Sequence, residues 1–166
     1  MPAPISIKLS AAQLERAEAE ALRRQQRNES RRLSGRNGAP SLGNRALQMH
    51  RLGTLGEVAV AAHLGLENSL FTHTDATRNS CDLPGLIEVK TRSKHCYDLI
   101  VQRNEVADKK LVLVTVQGQE IRLHGWAYAG EVMKAEFWSD PAGGRPAFFV
   151  PKSQLRDMSE LEVKAE

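Results

Sequence analysis

Apolar residues recur at helical spacing from Leu52 through Leu55, Ala59 and Ala62 to Leu66, and Val58, Val60 and Leu64 fill the other faces. A helix that is apolar nearly all round is a buried helix. The stretch 10–33 predicts a second helix of different character. Its apolar stripe is thin (Leu14, Ala17, Ala21), so it does not build the main core. Ser10 and Gln13 have the spacing of a capping box. The acids Glu15, Glu18 and Glu20 lie in its first half and arginines in its second, as the helix dipole favours. Between the two helices, residues 34–43 contain three glycines, a proline and two serines, the composition of a flexible joint.

Downstream the period changes. Residues 70–73 predict a short strand, and a second strand is expected to end at Asp82. A Pro84-Gly85 turn follows, and 86–92 reads as the next strand. Residues 97–101 extend the sheet, and 104–110 predict a short helix capped by Asn104. The run LVLVTV over 111–116 is apolar on both faces, which indicates an interior strand of a covered sheet. Gln117-Gly118-Gln119 turns the chain into a strand over 120–129. Residues 147–150 suggest an edge strand and 153–161 a terminal helix. The fold class expected is α/β, a mixed sheet flanked by helices.

Charge changes this picture. From Ala21 to Arg51 the cations are Arg23, Arg24, Arg27, Arg31, Arg32, Arg36, Arg45 and Arg51, against Glu29 alone, so this segment carries +7 and the rest of the chain −4. Arginine's planar fork suits phosphate, so these residues and Arg92 are candidate nucleic-acid contacts. The chain then divides into a basic N-terminal extension over 1–43 and an α/β domain over 44–166. No apolar run approaches the roughly 20 residues needed to span a bilayer, and the first ten residues do not read as a secretory signal. The two cysteines, Cys81 and Cys96, read as reduced thiols of a cytoplasmic protein. With His73, His95 and His124 they lack CxxC or HxxxH spacing, which argues against zinc. Trp126, Trp138, Phe148 and Phe149 read as packing residues.

The candidate chemistry lies on the strand over 86–92. Alternation puts Ile87 and Val89 on one face and Glu88, Lys90 and Arg92 on the other. A carboxylate and an ammonium two apart can share one site, the carboxylate holding a divalent metal and the lysine serving the attacking water. Glu-x-Lys alone is weak: Glu162-Val163-Lys164 repeats it at a polar chain end, without a hydrophobic strand. More carboxylates must converge, and Asp82 and Glu57 are the candidates. Glu57 is the only acid between Leu52 and Leu66, and a charge on a buried helix needs a partner or a function. Two carboxylates about 4 Å apart repel by about 4 kcal/mol at an effective dielectric of about 20, so a cluster needs a counterion. Magnesium, which takes oxygen ligands plus substrate phosphates, resolves it. Plainer readings stand beside these: Glu57 paired with a nearby arginine, Asp82 as a turn residue, and Glu88–Lys90 as a surface ion pair.

Gly56-Glu57 in an apolar helix, then Cys81-Asp82, then Ile87-Glu88-Val89-Lys90, resembles the PD-(D/E)XK, or restriction-endonuclease-like, nuclease superfamily over about 52–116. The resemblance implies that family's core fold and magnesium- or manganese-dependent cleavage of DNA. It implies Asp82, Glu88 and the Val89 carbonyl as metal ligands, Lys90 serving the water, and Glu57 acting directly or through a water. A two-residue hairpin at Pro84-Gly85 would turn Asp82 away from Glu88. A three-residue turn with Gly85 left-handed would return it, so an irregular turn over 83–85 is expected; a tight hairpin would move the assignment to Asp75. The alternative is a non-catalytic nucleic-acid-binding protein on the same fold. The expected partner is DNA, with no membrane, and a homodimer is the assembly considered.

Overall fold

The computed structural model describes residues 1–33, 43–72 and 81–163. Two long helices open the domain, α1 (Ala11–Leu33) and α2 (Gly43–Leu64). The capping box is present at the start of α1: Ser10 N donates to Gln13 Oε1 at 2.8 Å and Gln13 N to Ser10 Oγ at 3.2 Å. The strands are β1 (Ile5–Ile7), β2 (Ile87–Arg92), β3 (Leu99–Val101), β4 (Lys110–Gln117), β5 (Glu120–Tyr128), β6 (Trp138–Ser139) and β7 (Ala147–Val150), with a single-turn helix α3 (Ala129–Val132) after β5. The result is a mixed α/β fold. The main sheet runs β1-β5-β4-β2, with β2 parallel to β4 and the other pairings antiparallel. A second, antiparallel sheet runs β3-β7-β6.

The central β4 is buried from Leu111 to Val116, as its two apolar faces require. One face, through Val112, Val114 and Val116, joins Val58, Ala59, Val60, Ala61 and Trp126 in the core beneath α2. The other face, through Leu111 and Leu113, joins Leu99, Val101 and Val150 of the second sheet. Among the described residues no helix is long and apolar enough to cross a membrane.

Several expectations are corrected. Leu70 is buried, but 67–69 form a 3₁₀ turn and 70–71 a further turn rather than a strand, Phe71 having φ 57°, and residue 73 lies outside the described residues. The segment expected as a helix over 104–110 instead holds two successive turns, 102–105 closed by Glu105 N to Gln102 O and 106–109 closed by Lys109 N to Val106 O, before β4 begins at Lys110. A seven-residue segment is too short to nucleate a stable helix without an apolar face to pack, and its charged side chains are engaged elsewhere. The strand β7 is the middle of its sheet, not an edge. Residues 153–161 hold short 3₁₀ turns in place of a terminal helix. Within the N-terminal extension, described over 1–33, β1 pairs with β5, and α1 buries Ala17 and Ala21 and packs along α2. Small side chains let α1 lie close to α2, so a thin stripe suffices to dock it.

Candidate active site

Pro84, Gly85 and Leu86 form a three-residue turn. Leu83 N donates to Ile87 O at 3.1 Å, and these residues form an isolated antiparallel bridge. Gly85 has φ 79° and Leu86 φ 61°, so two successive left-handed residues reverse the chain. With Leu83 opposite Ile87, Asp82 falls opposite Glu88 and shares its face. The expected irregular turn is therefore observed, and Asp82 Oδ2 accepts a hydrogen bond from Val89 N at 2.8 Å. Asp75, the alternative, lies outside the described residues, as does His73.

Around Glu88 the charges alternate. Lys90 Nζ stands 3.8 Å from Glu88 Oε1 and 3.0 Å from Glu105 Oε2. Lys109 Nζ stands 3.6 Å from Glu88 Oε2 and 3.2 Å from Glu105 Oε1. Glu88 Oε2 is buried and has no hydrogen-bond partner among the described residues. Glu105 and Lys109 escaped the sequence reading; the available signal was their i,i+4 spacing in the segment expected to be a helix.

Glu57 arrives from α2, which approaches β2 closely because Gly56 has no side chain: a Cβ there would lie 1.9 Å from Thr91 Oγ1. Both Glu57 oxygens are taken by Arg24 of α1, Oε1 by Nη1 at 3.1 Å and Oε2 by Nη2 at 2.8 Å. Arg24 also pairs with Glu20, which holds Arg23 in a second fork. Arg24 caps the face of Phe71, 5.5 Å from the ring centre. Glu57 is thus paired with a nearby arginine through both of its oxygens.

The electrostatics tie the three acids together. Burial, then the charge of Glu57, raises the Asp82 carboxyl to about 6. Burial, then Asp82, raises Glu88. Burial raises Glu57 against the opposing pull of Arg24, with Glu20 and Glu88 adding to the rise. Glu105 moves the other way: burial would raise it, but Lys90 and Lys109 outweigh that and lower it. Among the described residues no three His, Cys, Asp or Glu side chains group closely enough to hold a metal between them.

The arginines divide. Arg23 and Arg24 are engaged with Glu20 and Glu57, and Arg51 with Glu18 at 2.7 Å, so their charge is offset within the protein. Arg27 and Arg45 form no ion pair with any described residue. Arg36 and the side chains of Arg31 and Arg32 lie outside the description. Arg92, on the Glu88–Lys90 face of β2, donates to Asp98 O at 2.7 Å and lies 4.5 Å over the Tyr97 ring. His95 and His124 both bond Thr115, neither joins a cysteine in a metal-holding group among the described residues, and Cys81 and Cys96 form no disulfide. Trp126 is core, and Trp138 packs edge-on against Phe148. Comparison with protein-family models, with curated proteins and with solved structures finds no match to this chain.

Proposed function

We propose that this chain is a magnesium- or manganese-dependent nuclease of restriction-endonuclease-like fold that hydrolyses DNA. The observation that carries the reading is the pairing of Asp82 with Glu88 across an irregular turn, beside Lys90, with Glu88 Oε2 buried and unbonded. The helix–strand placement of Glu57, Asp82, Glu88 and Lys90 agrees with the order in that superfamily.

The residues present fit a hard cation. Asp82, Glu88 and the Val89 carbonyl are all oxygen donors, and magnesium needs only one or two carboxylates besides water and phosphate. When bound, such an ion supplies a polarised phosphoryl oxygen and a water of lowered pKa. The chain's own groups do the rest. The Val89 N–H fixes one oxygen of Asp82 and leaves the other available. The Lys90 ammonium, held by Glu105, orients the attacking water and offsets negative charge developing on the phosphate. Glu57 contributes through its charge on Asp82, restrained by Arg24. Arg92, Arg27 and Arg45 are the proposed phosphate contacts. A cytoplasmic location and a homodimer belong to the same reading.

One observation favours a second reading. The absence of a three-ligand group among the described residues suits a nucleic-acid-binding protein that keeps the fold without the chemistry. Purified protein offered linear, nicked, single-stranded, flap and four-way-junction DNAs with Mg²⁺, with Mn²⁺ and with EDTA separates the two. The nuclease reading expects metal-dependent cutting of at least one form. Salt-sensitive binding with no cutting of any form would establish the second reading instead.

A further inference from the structure

Lys90, Glu88, Lys109 and Glu105 close a four-membered ring of alternating charge, and the ring is lopsided. Both lysines lie within hydrogen-bond range of Glu105, at 3.0 and 3.2 Å, and outside it from Glu88, at 3.8 and 3.6 Å. Lys109 is buried, 6% exposed, so its position is not a matter of solvent-side drift. Glu105 and Lys109 sit in the paired turns that carry the chain back from β3 to β4. Lys109 O accepts from Ala129 N at 2.9 Å and Lys110 N donates to Leu86 O at 2.8 Å. The turns are thereby fastened both to the end of β5 and to the loop before Glu88.

An ammonium left to itself beside a buried carboxylate closes to hydrogen-bond distance, because a buried oxygen without a donor loses the full cost of its desolvation. Here it does not close. Among the described residues Glu88 Oε2 finds no hydrogen bond, although a lysine stands 3.6 Å away. Glu105 is the carboxylate that both lysines prefer.

We propose that Glu105 is a positioning residue that holds Lys90 and Lys109 back from Glu88, keeping the Glu88 carboxylate open to a divalent cation, with Lys109 a second ammonium of the site. This rests on the nuclease reading for its biological use, but not for its test. The two lysines outweigh burial at Glu105 and lower it, whereas at Glu88 burial and Asp82 outweigh the same lysines and raise it, in keeping with their closer approach to Glu105. Removing the Glu105 charge lets both lysines close on Glu88 and leaves the site more positive. Removing the Lys109 charge does the reverse.

The experiment is Mn²⁺ titration of the metal-free protein, followed by the electron paramagnetic resonance of the free ion. Wild type, Glu105→Gln, Lys109→Met, the double variant and Glu88→Gln are compared, each with its circular dichroism. Changing one charge at this range should alter affinity by about tenfold. Glu105→Gln is expected to bind Mn²⁺ about tenfold more weakly, Lys109→Met more tightly, and the double variant close to wild type, while Glu88→Gln loses the site. Glu105→Asp, which keeps the charge but shortens the reach to both lysines, should bind Mn²⁺ more weakly too; charge acting only through space, or a salt bridge that merely anchors the turns, would leave it close to wild type. That result, or no Mn²⁺ binding by the wild type, overturns the proposal. If Lys109→Met does not fold, Lys109→Gln makes the same charge change. These shifts in Mn²⁺ affinity, that of Glu105→Asp included, from a protein that cuts no DNA would uphold the ring and defeat the nuclease reading, so the two can fail separately.

Discussion

The parallel strands β2 and β4 carry a polar cluster at each end, and the two ends solve the same problem differently. At one end Glu88 lies beside Leu111 and gathers Asp82, Glu57 and the lysines; at the other Arg92 lies beside Thr115. There Thr115 Oγ1 stands 2.7 Å from His95 Nδ1 and 2.7 Å from His124 Nε2, and His95 Nε2 faces Glu120 at 3.4 Å. His124 occupies the extra position where β4 and β5 slip register, between Leu123 and Gly125. Burial, then nearby cations beginning with Lys152, lowers His124 to about 4, so its imidazole stays neutral and hydrogen-bonded to Thr115. At the acidic end burial also opposes charge, but carboxylates crowd one another and one oxygen has no partner. Each end thus keeps one buried atom without a hydrogen-bond partner among the described residues, His95 Nε2 or Glu88 Oε2, but carboxylates crowd one another at the acidic end alone, and that crowding suits the arrival of a proton, a cation or both.

The largest effect expected from breaking this contrast is on cleavage. Lys90→Ala should lower the rate of DNA hydrolysis by about a hundredfold or more with the fold intact. Thr115→Val should instead leave cleavage close to wild type and cost about 2 kcal/mol of stability, measured by urea unfolding, because two histidines lose their shared partner. Equal loss of cleavage in both would erase the distinction between the ends.

Next comes the restraint on Glu57. Arg24→Ala leaves a buried carboxylate without its cation and should destabilise the protein by about 3 kcal/mol. Combining it with Glu57→Gln should recover most of that loss, and a double variant as unstable as the single one would deny the pairing its role.

The two ends should also answer pH in opposite senses in EDTA. Asp82 has a folded pKa of about 6 against an ordinary 3.8, so the fold binds a proton more readily than the unfolded chain. Its contribution is favourable at low pH and is lost as pH rises through about 6, by about 3 kcal/mol in total. His124, at about 4 against 6.5, contributes stability present above 6.5 and lost as pH falls towards 4. Melting profiles should therefore show that Asp82→Asn steepens the loss on acidification, whereas His124→Gln turns it towards a gain. Parallel profiles for the two variants would contradict both assignments.

The smallest effect belongs to the turn. Leu86 holds φ 61° with nearly half its surface exposed, a conformation that suits glycine. Leu86→Gly should stabilise the protein by about 1 kcal/mol in urea, and destabilisation would show that the leucine side chain earns its place by contacts.

How much of this was legible depended on distance along the chain. The face shared by Glu88, Lys90 and Arg92 follows from strand alternation, and the need for a left-handed Gly85 followed from placing Asp82 on that face. The capping box at Ser10 and the buried helix around Val58 are local patterns of the same kind. By contrast, the fork between Arg24 and Glu57 joins residues 33 positions apart, and no local pattern distinguishes Arg24 from Arg27. The Lys90–Glu105 contact likewise depends on how the turns before β4 fold back. Charge counting over 21–51 treated every arginine as available, whereas the glutamates of α1 and α2 claim Arg23, Arg24 and Arg51. The strand β1 is three residues long and held by main-chain pairing with β5, which leaves little mark on side-chain pattern.

The most direct test of the central claim is hydrolysis of plasmid DNA in Mg²⁺ by the wild type and by Glu88→Ala, side by side, with circular dichroism of both. The account predicts cutting by the wild type that stops with EDTA, and a folded Glu88→Ala protein that does not cut. A wild type inert with Mg²⁺ and Mn²⁺, or undiminished cutting by the folded variant, would contradict it.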